Sequence, residues 1–471
     1  MKRSILLFLS FPIALCAFST IWVVGPGQAY TVPSQVSPLV NDGDTVNIMA
    51  GGYSGDVTNW TANNLLLRGT NGHAVLAANG QSWGGKAIWV IQGDNTTVEY
   101  IAFTDCAVID MNGAGIRQEG HDLTVRHCVF GNNEMGILAG DVNPSTINIE
   151  YSEFYNNGFG NGLSHNVYIN HVDTLLFRYN YSHHAHIGHE LKSRAHVNFI
   201  EYNRFSNEAT GNASREIDLP NGGQVFLIGN VIQQGPQGQN NNLVGYGMEG
   251  LTNPGPHEFH AINNTLVNEK TIGSFFQFND SSLYFKMWNN IMAGGGTVIG
   301  GTQPGSFDSV GNVTDPNIGN FLFAAPGFYD YRIDPASPAR SAGIPAGLAP
   351  NGYPLVAWDE YVHPVSRTVR CQHALLDAGA YEHCTVGVTE SDADAIQLYP
   401  NPAIDRVTIN AKRSIQEIRV IDTRGRLIQV SYPSGSSSIL NLHPLNAGLL
   451  TVHVLLEDGT RYQQQLVILG D

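Results

Sequence analysis

The stretch LLFRYN at 175–180 decides the fold, because it recurs as NFIEYN at 198–203, VFLIGN at 225–230, FHAINN at 259–264 and FKMWNN at 285–290. Two earlier copies, LTVRHC at 123–128 and INIEYS at 147–152, carry Cys128 and Ser152 where the others end in asparagine. The terminal residues follow one another at intervals of 24, 28, 23, 27, 34 and 26. Each copy reads as a short strand whose side chains alternate between core and exterior, and one such strand cannot bury its apolar side by itself. Stacking the copies at about 4.8 Å solves this and turns the interval into one coil of a right-handed parallel β-helix. Asn180, Asn203, Asn230, Asn264 and Asn290 then form a ladder at one turn, where asparagine tolerates left-handed backbone and its amide bonds to neighbours. Their role is structural.

Composition agrees. Among 471 residues there are 52 glycines and only 14% charged side chains, as many tight turns and buried strands require. Segments of helical period are scarce. Lys2 and Arg3 precede an apolar run from Ile5 to Val24, interrupted by Pro12 and followed by Gly25, Gly27 and Ala29, the layout of a signal peptide spanning 1–29. Leu15 before Cys16 speaks against a lipoprotein, and no transmembrane segment is expected once the leader is removed. Loss of its two basic residues takes the formal charge from -16 to -18, which argues against nucleic acid as a partner. Of the remaining cysteines, Cys371 and Cys384 flank one short segment and are the better disulfide pair; Cys106 and Cys128 are read as buried thiols or a second bridge.

The β-helix is expected over 30–385. Its opening, TVNIMAGGYSGDV at 45–57, resembles the first coil of secreted β-helical polysaccharide lyases, and DPASPARSAG at 334–343 with LLDAGAYEHC at 375–384 resembles the closing coil of many β-helix proteins. A polar linker at 386–397 leads to a second unit, 398–471, with LYPNPAIDRVTI, IRVIDTRGRLIQ and NLHPLNAGLLTVHVLLEDG in order. Its alternation reads as a small antiparallel β-sandwich. The YPNP, DTRG and NAG elements resemble the C-terminal sorting domain of type IX secretion, with departures at Leu450 and at the terminal Gly470-Asp471. The resemblance implies type IX secretion machinery as a partner and a secreted or cell-surface destination. A carbohydrate-binding module is the other reading of this unit.

Chemistry concentrates between His165 and His196, where seven of the 17 histidines fall, beside ELKSR at 190–194 and REIDLPNGG at 215–223. With Val167, Ile169, Leu191, Ile217 and Leu219 facing the core, period-two alternation sends Asn166, Tyr168, Glu190, Lys192, Glu216 and Asp218 outward. Tyr168, Lys192 and Asp218 then share one outward row, the floor of a groove that suits an extended polymer.

ELKSRAHVNFIEYNRF resembles the lysine-bearing coil of the β-helical polysaccharide lyases that include chondroitinase B and alginate lyases. The resemblance implies a polysaccharide substrate, a lysine that takes the C5 proton of a uronic acid, an arginine at the leaving oxygen, and calcium as a cofactor that neutralises the carboxylate in some members. Lys192 matches the family lysine. The arginine does not transfer, since EIDLPNGG stands where an arginine-histidine-glycine run is expected; Arg194 and Arg215 are neighbouring substitutes. The expected catalytic set is Lys192, His189, His183 and Arg194, with His165, Tyr168, Arg215, Glu190, Glu216 and Asp218 binding substrate, and the reaction is lyase or epimerase chemistry. Three other readings stand: a glycoside hydrolase using Glu190, Glu216 and Asp218 as paired carboxylates, a metal site of histidines and carboxylates, and a noncatalytic glycan-binding adhesin in which Lys192, Glu216 and Asp218 serve only as inter-coil salt bridges.

Overall fold

The computed structural model describes residues 19–371, 375–384, 396–422, 427–443, 448–457 and 461–469. From Ile21 to Asp315 the chain winds as a parallel β-helix of three faces. The first face contains Thr146–Glu150, Thr174–Arg178, Val197–Glu201, Gln224–Ile228, Glu258–Ile262 and Tyr284–Trp288, each hydrogen-bonded in parallel to the next. After a tight corner the second face follows, with Glu153–Tyr155, Tyr181–His183, Arg204–Ser206 and Val231–Gln234. The third face is a ten-stranded parallel sheet that includes Met135–Ala139, Val167–Ile169, Leu191–Ser193, Ile217–Leu219 and Asn242–Tyr246. The interior is largely apolar, with Phe103, Phe130 and Phe154 stacked at 5.0 and 4.9 Å between centroids.

The asparagine ladder occupies the corner between the first and second faces. The backbone N–H of Asn180 donates to Asn203 Oδ1, Asn203 to Asn230, Asn230 to Asn264 and Asn264 to Asn290, each at 2.9 Å. Asn312 adds a further rung at 2.9 Å, and Ser152 offers its Oγ to the Cys128 N–H at 3.1 Å. Left-handed backbone sits one residue earlier than the ladder itself, at Tyr151, Tyr179, Tyr202, Gly229, Asn263 and Asn289. The ladder asparagines therefore serve as buried amide bridges, while their predecessors make the turn.

Two boundaries differ from expectation. Ile21–Val24 pairs in parallel with Thr45–Ser54, Val24 is fully buried, and Trp22 Nε1 donates to Asp44 at 2.9 Å. The first coil thus begins inside the stretch assigned to the leader, and 30 is too late a start; residues 1–18 lie outside the described residues. Strand Ile396–Tyr399 likewise takes in the last two residues of the expected linker, whose remainder at 386–395 is outside the described residues. The second unit has a three-stranded and a four-stranded antiparallel sheet, as the alternation predicts. The DTRG and NAG turns and Gly470-Asp471 fall wholly or mainly outside the described residues.

Between these units the chain folds back along the helix, where Tyr353 Oη donates to Glu201 at 2.6 Å and Tyr179 Oη to Asp359 at 2.8 Å. Cys371 and Cys384 are disulfide-bonded, whereas Cys106 and Cys128 are free and buried. Among the described residues no helix is long and apolar enough to cross a membrane.

Candidate active site

Register on the third face aligns Tyr168 with Lys192, Lys192 with Asp218, and Asp218 with Gly245. Val167, Ile169, Leu191, Ile217 and Leu219 are buried in the core, so this row faces outward. Gly245 has a reason to lack a side chain: a Cβ there would sit 3.0 Å from Arg215 Cδ, Arg215 Nε and Asp218 Oδ1. Its absence lets Arg215 cross the strand and bond to Asp218 at 3.0 Å.

Around the row three cations meet two carboxylates. Lys192 Nζ lies 2.8 Å from Glu249 Oε1 and 3.6 Å from Asp218 Oδ2. Arg194 is fully engaged: Nε donates to Tyr168 Oη at 2.9 Å, one Nη to Asn221 Oδ1 at 2.5 Å and the other to Glu249 Oε2 at 2.8 Å. Burial raises the Asp218 carboxyl above its usual range, against the pull of Arg215 and Lys192. For Glu249 burial also acts upward, but hydrogen bonds from Lys192 and Arg194 outweigh it and hold the carboxyl low.

His165 and His189 flank the row as a stacked pair, 4.9 Å between rings. The His189 backbone N–H donates to His165 Nδ1 at 3.0 Å, and the Arg215 N–H to His189 Nδ1 at 3.1 Å. With Nδ1 accepting, each neutral ring carries its hydrogen on Nε2. Burial, and then neighbouring positive charge, pushes both pKa values well below the usual imidazole range. His189 Nε2 is 3.6 Å from Asp218 Oδ2. Its Nε2–H therefore faces that carboxylate.

Four expectations are corrected by position. Glu190 and Glu216 do not point outward; both are fully buried inside the solenoid. They stand just before the strands Leu191–Ser193 and Ile217–Leu219, at the corner, where strict alternation does not apply. Glu190 accepts from the Ala185 N–H at 3.0 Å and from Asn166 Nδ2 at 2.5 Å, and Glu216 from Asn207 Nδ2 at 2.7 Å. Burial pushes Glu190 up to about 8, and burial together with the charge of Glu190 pushes Glu216 well above the usual range. Asn166 is buried with them. His183 lies on the second face, 3.1 Å from Glu153 and stacked on Tyr181, not beside Lys192.

Glu249, Asn221 and Thr252, whose Oγ1 accepts from Asn221 Nδ2 at 2.7 Å, escaped the sequence reading. Glu249 reaches the site from a loop anchored by its own N–H to Pro220 O at 3.0 Å and by Gly247 N–H to Leu219 O at 2.9 Å. Asn221 belongs to the quoted REIDLPNGG and could have been flagged by its place after the strand; Glu249 carries no periodic signal. Calcium, which takes six to eight oxygen ligands, does not fit these donors: Asp218 and Glu249 already face cations, and among the described residues no three His, Cys, Asp or Glu side chains are grouped to hold a metal.

The fold is similar to that of pectate lyase Pel9A, with a TM-score of 0.54 and 15% identity over 78% of this chain and 97% of that one. A second solved structure, the A-module of mannuronan C-5 epimerase AlgE6 from Azotobacter vinelandii, aligns at 14% identity and a TM-score of 0.32, covering 58% of this chain and 91% of that one. No curated protein matches the chain. The family model of the secretion system C-terminal sorting domain matches residues 397–469, the antiparallel unit described above. The protein is accordingly a secreted or cell-surface parallel β-helix delivered by a type IX sorting domain.

Proposed function

We propose that the chain is a polysaccharide lyase, or an epimerase of the same chemistry, acting on a polymer that contains uronic acid. The observation that carries this reading is the outward row Tyr168–Lys192–Asp218 flanked by Arg194 and Arg215. Three cations against two carboxylates, on an otherwise acidic protein, suit an anionic chain. The likeness to a pectate lyase is one of fold, and supports the reading only to that extent.

In this reading the uronate carboxylate enters between Lys192 and Arg194 and takes over the bonds now made to Glu249. Neutralising that carboxylate makes the C5 proton acidic enough to be removed. Lys192 Nζ, released from Glu249 and having given its ammonium proton to solvent, accepts the C5 proton as the neutral amine; the C4–O bond breaks, and a C4=C5 double bond forms. Tyr168 Oη accepts from Arg194 Nε, which leaves its own hydrogen available for the departing oxygen. An epimerase would instead return a proton to C5 from the opposite side.

The hydrolase reading is weakened because Glu190 and Glu216 are buried in the solenoid, leaving Asp218 and Glu249 as outward carboxylates, both ion-paired. A screen of uronic-acid polysaccharides, read by absorbance of the unsaturated product and by new reducing ends, tests the proposal. Unsaturation supports the lyase; reducing ends without it support a hydrolase, and saturable binding without turnover an adhesin.

A further inference from the structure

A second opening of different chemistry lies on the second face. A cleft of about 720 Å³ separates Arg204 from the folded-back C-terminal segment, with Phe328, Tyr329, Tyr361 and His363 among its walls. That volume falls within the roughly 300–1,000 Å³ of small-ligand sites. The walls are braced: Cys371 is bonded to Cys384, Arg370 pairs with Glu382 at 2.9 Å, and Glu360 accepts from the Glu382 N–H at 2.6 Å.

Charge in this cleft is cancelled locally. Arg204 lies over the rings of Tyr181 and Tyr329, at 5.0 and 5.8 Å, and pairs with Glu208 at 3.3 Å. Arg332 Nε donates to both oxygens of Asp330, at 2.9 and 3.2 Å. Burial pushes the Glu360 carboxyl up to about 7, so near neutrality it both donates and accepts. His363, whose pKa burial and Arg204 lower, is a neutral ring. At the rim Phe328, at the end of the turn Pro326–Phe328, is 86% exposed.

Aromatic rings beside paired charges and neutral donors and acceptors suit a hydroxyl-rich ring better than an anion. We infer that this cleft binds an uncharged saccharide unit, separate from the row of Tyr168, Lys192 and Asp218 on the third face. His183, stacked on Tyr181, belongs to its surroundings.

The test is calorimetric titration of the full chain with cellobiose, xylobiose and galactobiose, using trigalacturonate as the charged control. At least one neutral disaccharide should bind saturably, and Phe328→Ala and His363→Ala should each weaken it by about tenfold, the order expected for losing a stacking or hydrogen-bonding partner. Lys192→Ala should leave that affinity unchanged. Phe328 is largely in solvent, so its removal leaves the fold intact, and unchanged melting of both variants is the control. The inference is overturned if none of the three neutral sugars binds, or if binding persists undiminished in both variants.

Discussion

Lys192 and Glu249 are 57 residues apart in the chain and 2.8 Å apart in the fold, joined on the outer side of the third face. Glu249 holds Lys192 with one carboxylate oxygen and Arg194 with the other. A substrate carboxylate has to compete for the same two donors. Exchange of Glu249 for glutamine should therefore tighten binding of oligouronides several-fold, seen as a lower Kd by calorimetry. A looser Kd would mean that Glu249 orients Lys192 for the substrate instead of blocking it.

Lys192→Ala should lower turnover on a verified substrate by about 10²- to 10⁴-fold, the usual loss on removing a general base. Melting should move little, because Asp218 keeps its bond to Arg215 at 3.0 Å. Near-full turnover in the variant would remove Lys192 from the reaction, and unfolding would assign it to inter-coil support.

The buried carboxyls predict how stability varies with pH. Glu190 titrates near 8 in the folded chain against 4.5 for an ordinary glutamate, and Glu216 is also raised. The folded state then holds protons that the unfolded state releases. The contribution is complete below about 4.5 and is lost progressively as pH rises towards about 8. Replacing Glu216 by glutamine should raise the melting temperature at pH 8 relative to wild type and change it little at pH 4. Parallel melting curves for the two proteins across that range would refute the assignment.

The ladder can be tested at Asn230. Its side chain accepts from the Asn203 N–H at 2.9 Å and donates to Ile200 O at 2.8 Å. Alanine orphans both groups, at about 1–3 kcal/mol each. Serine should cost less, since Ser152 already fills a rung by offering its Oγ to Cys128. Denaturant titration of the two variants gives the order.

Processing gives a further check. Because Ile21–Val24 is paired into the first coil, exported protein should begin at or before Ile21, and because residues 397–469 match the sorting family it should lack that region. Terminal sequencing by mass spectrometry decides both; a mature start after Ala29 would mean that the first strand is dispensable.

The repeat was legible because five successive coils return asparagine to the same corner, so Asn180 to Asn290 announced the architecture. The row Tyr168–Lys192–Asp218 was legible for the same reason, each residue lying inside a strand where alternation holds. Glu190 and Glu216 were misread because one residue before a strand the backbone is still turning. His183 was misplaced because neighbours in sequence across a corner lie on different faces. Glu249 could not be read at all: its position depends on the path of a loop, which no periodicity encodes.

The amide ladder has a polarity, each rung receiving a hydrogen from the preceding coil and passing one to the next. Every internal rung is therefore interchangeable with its neighbours in what it offers and what it needs. Descendants of such a gene can lengthen or shorten by whole coils, as a brick wall changes height by courses. A fraction of a coil would leave a rung facing the wrong partner, so inherited length changes are expected to come in complete turns.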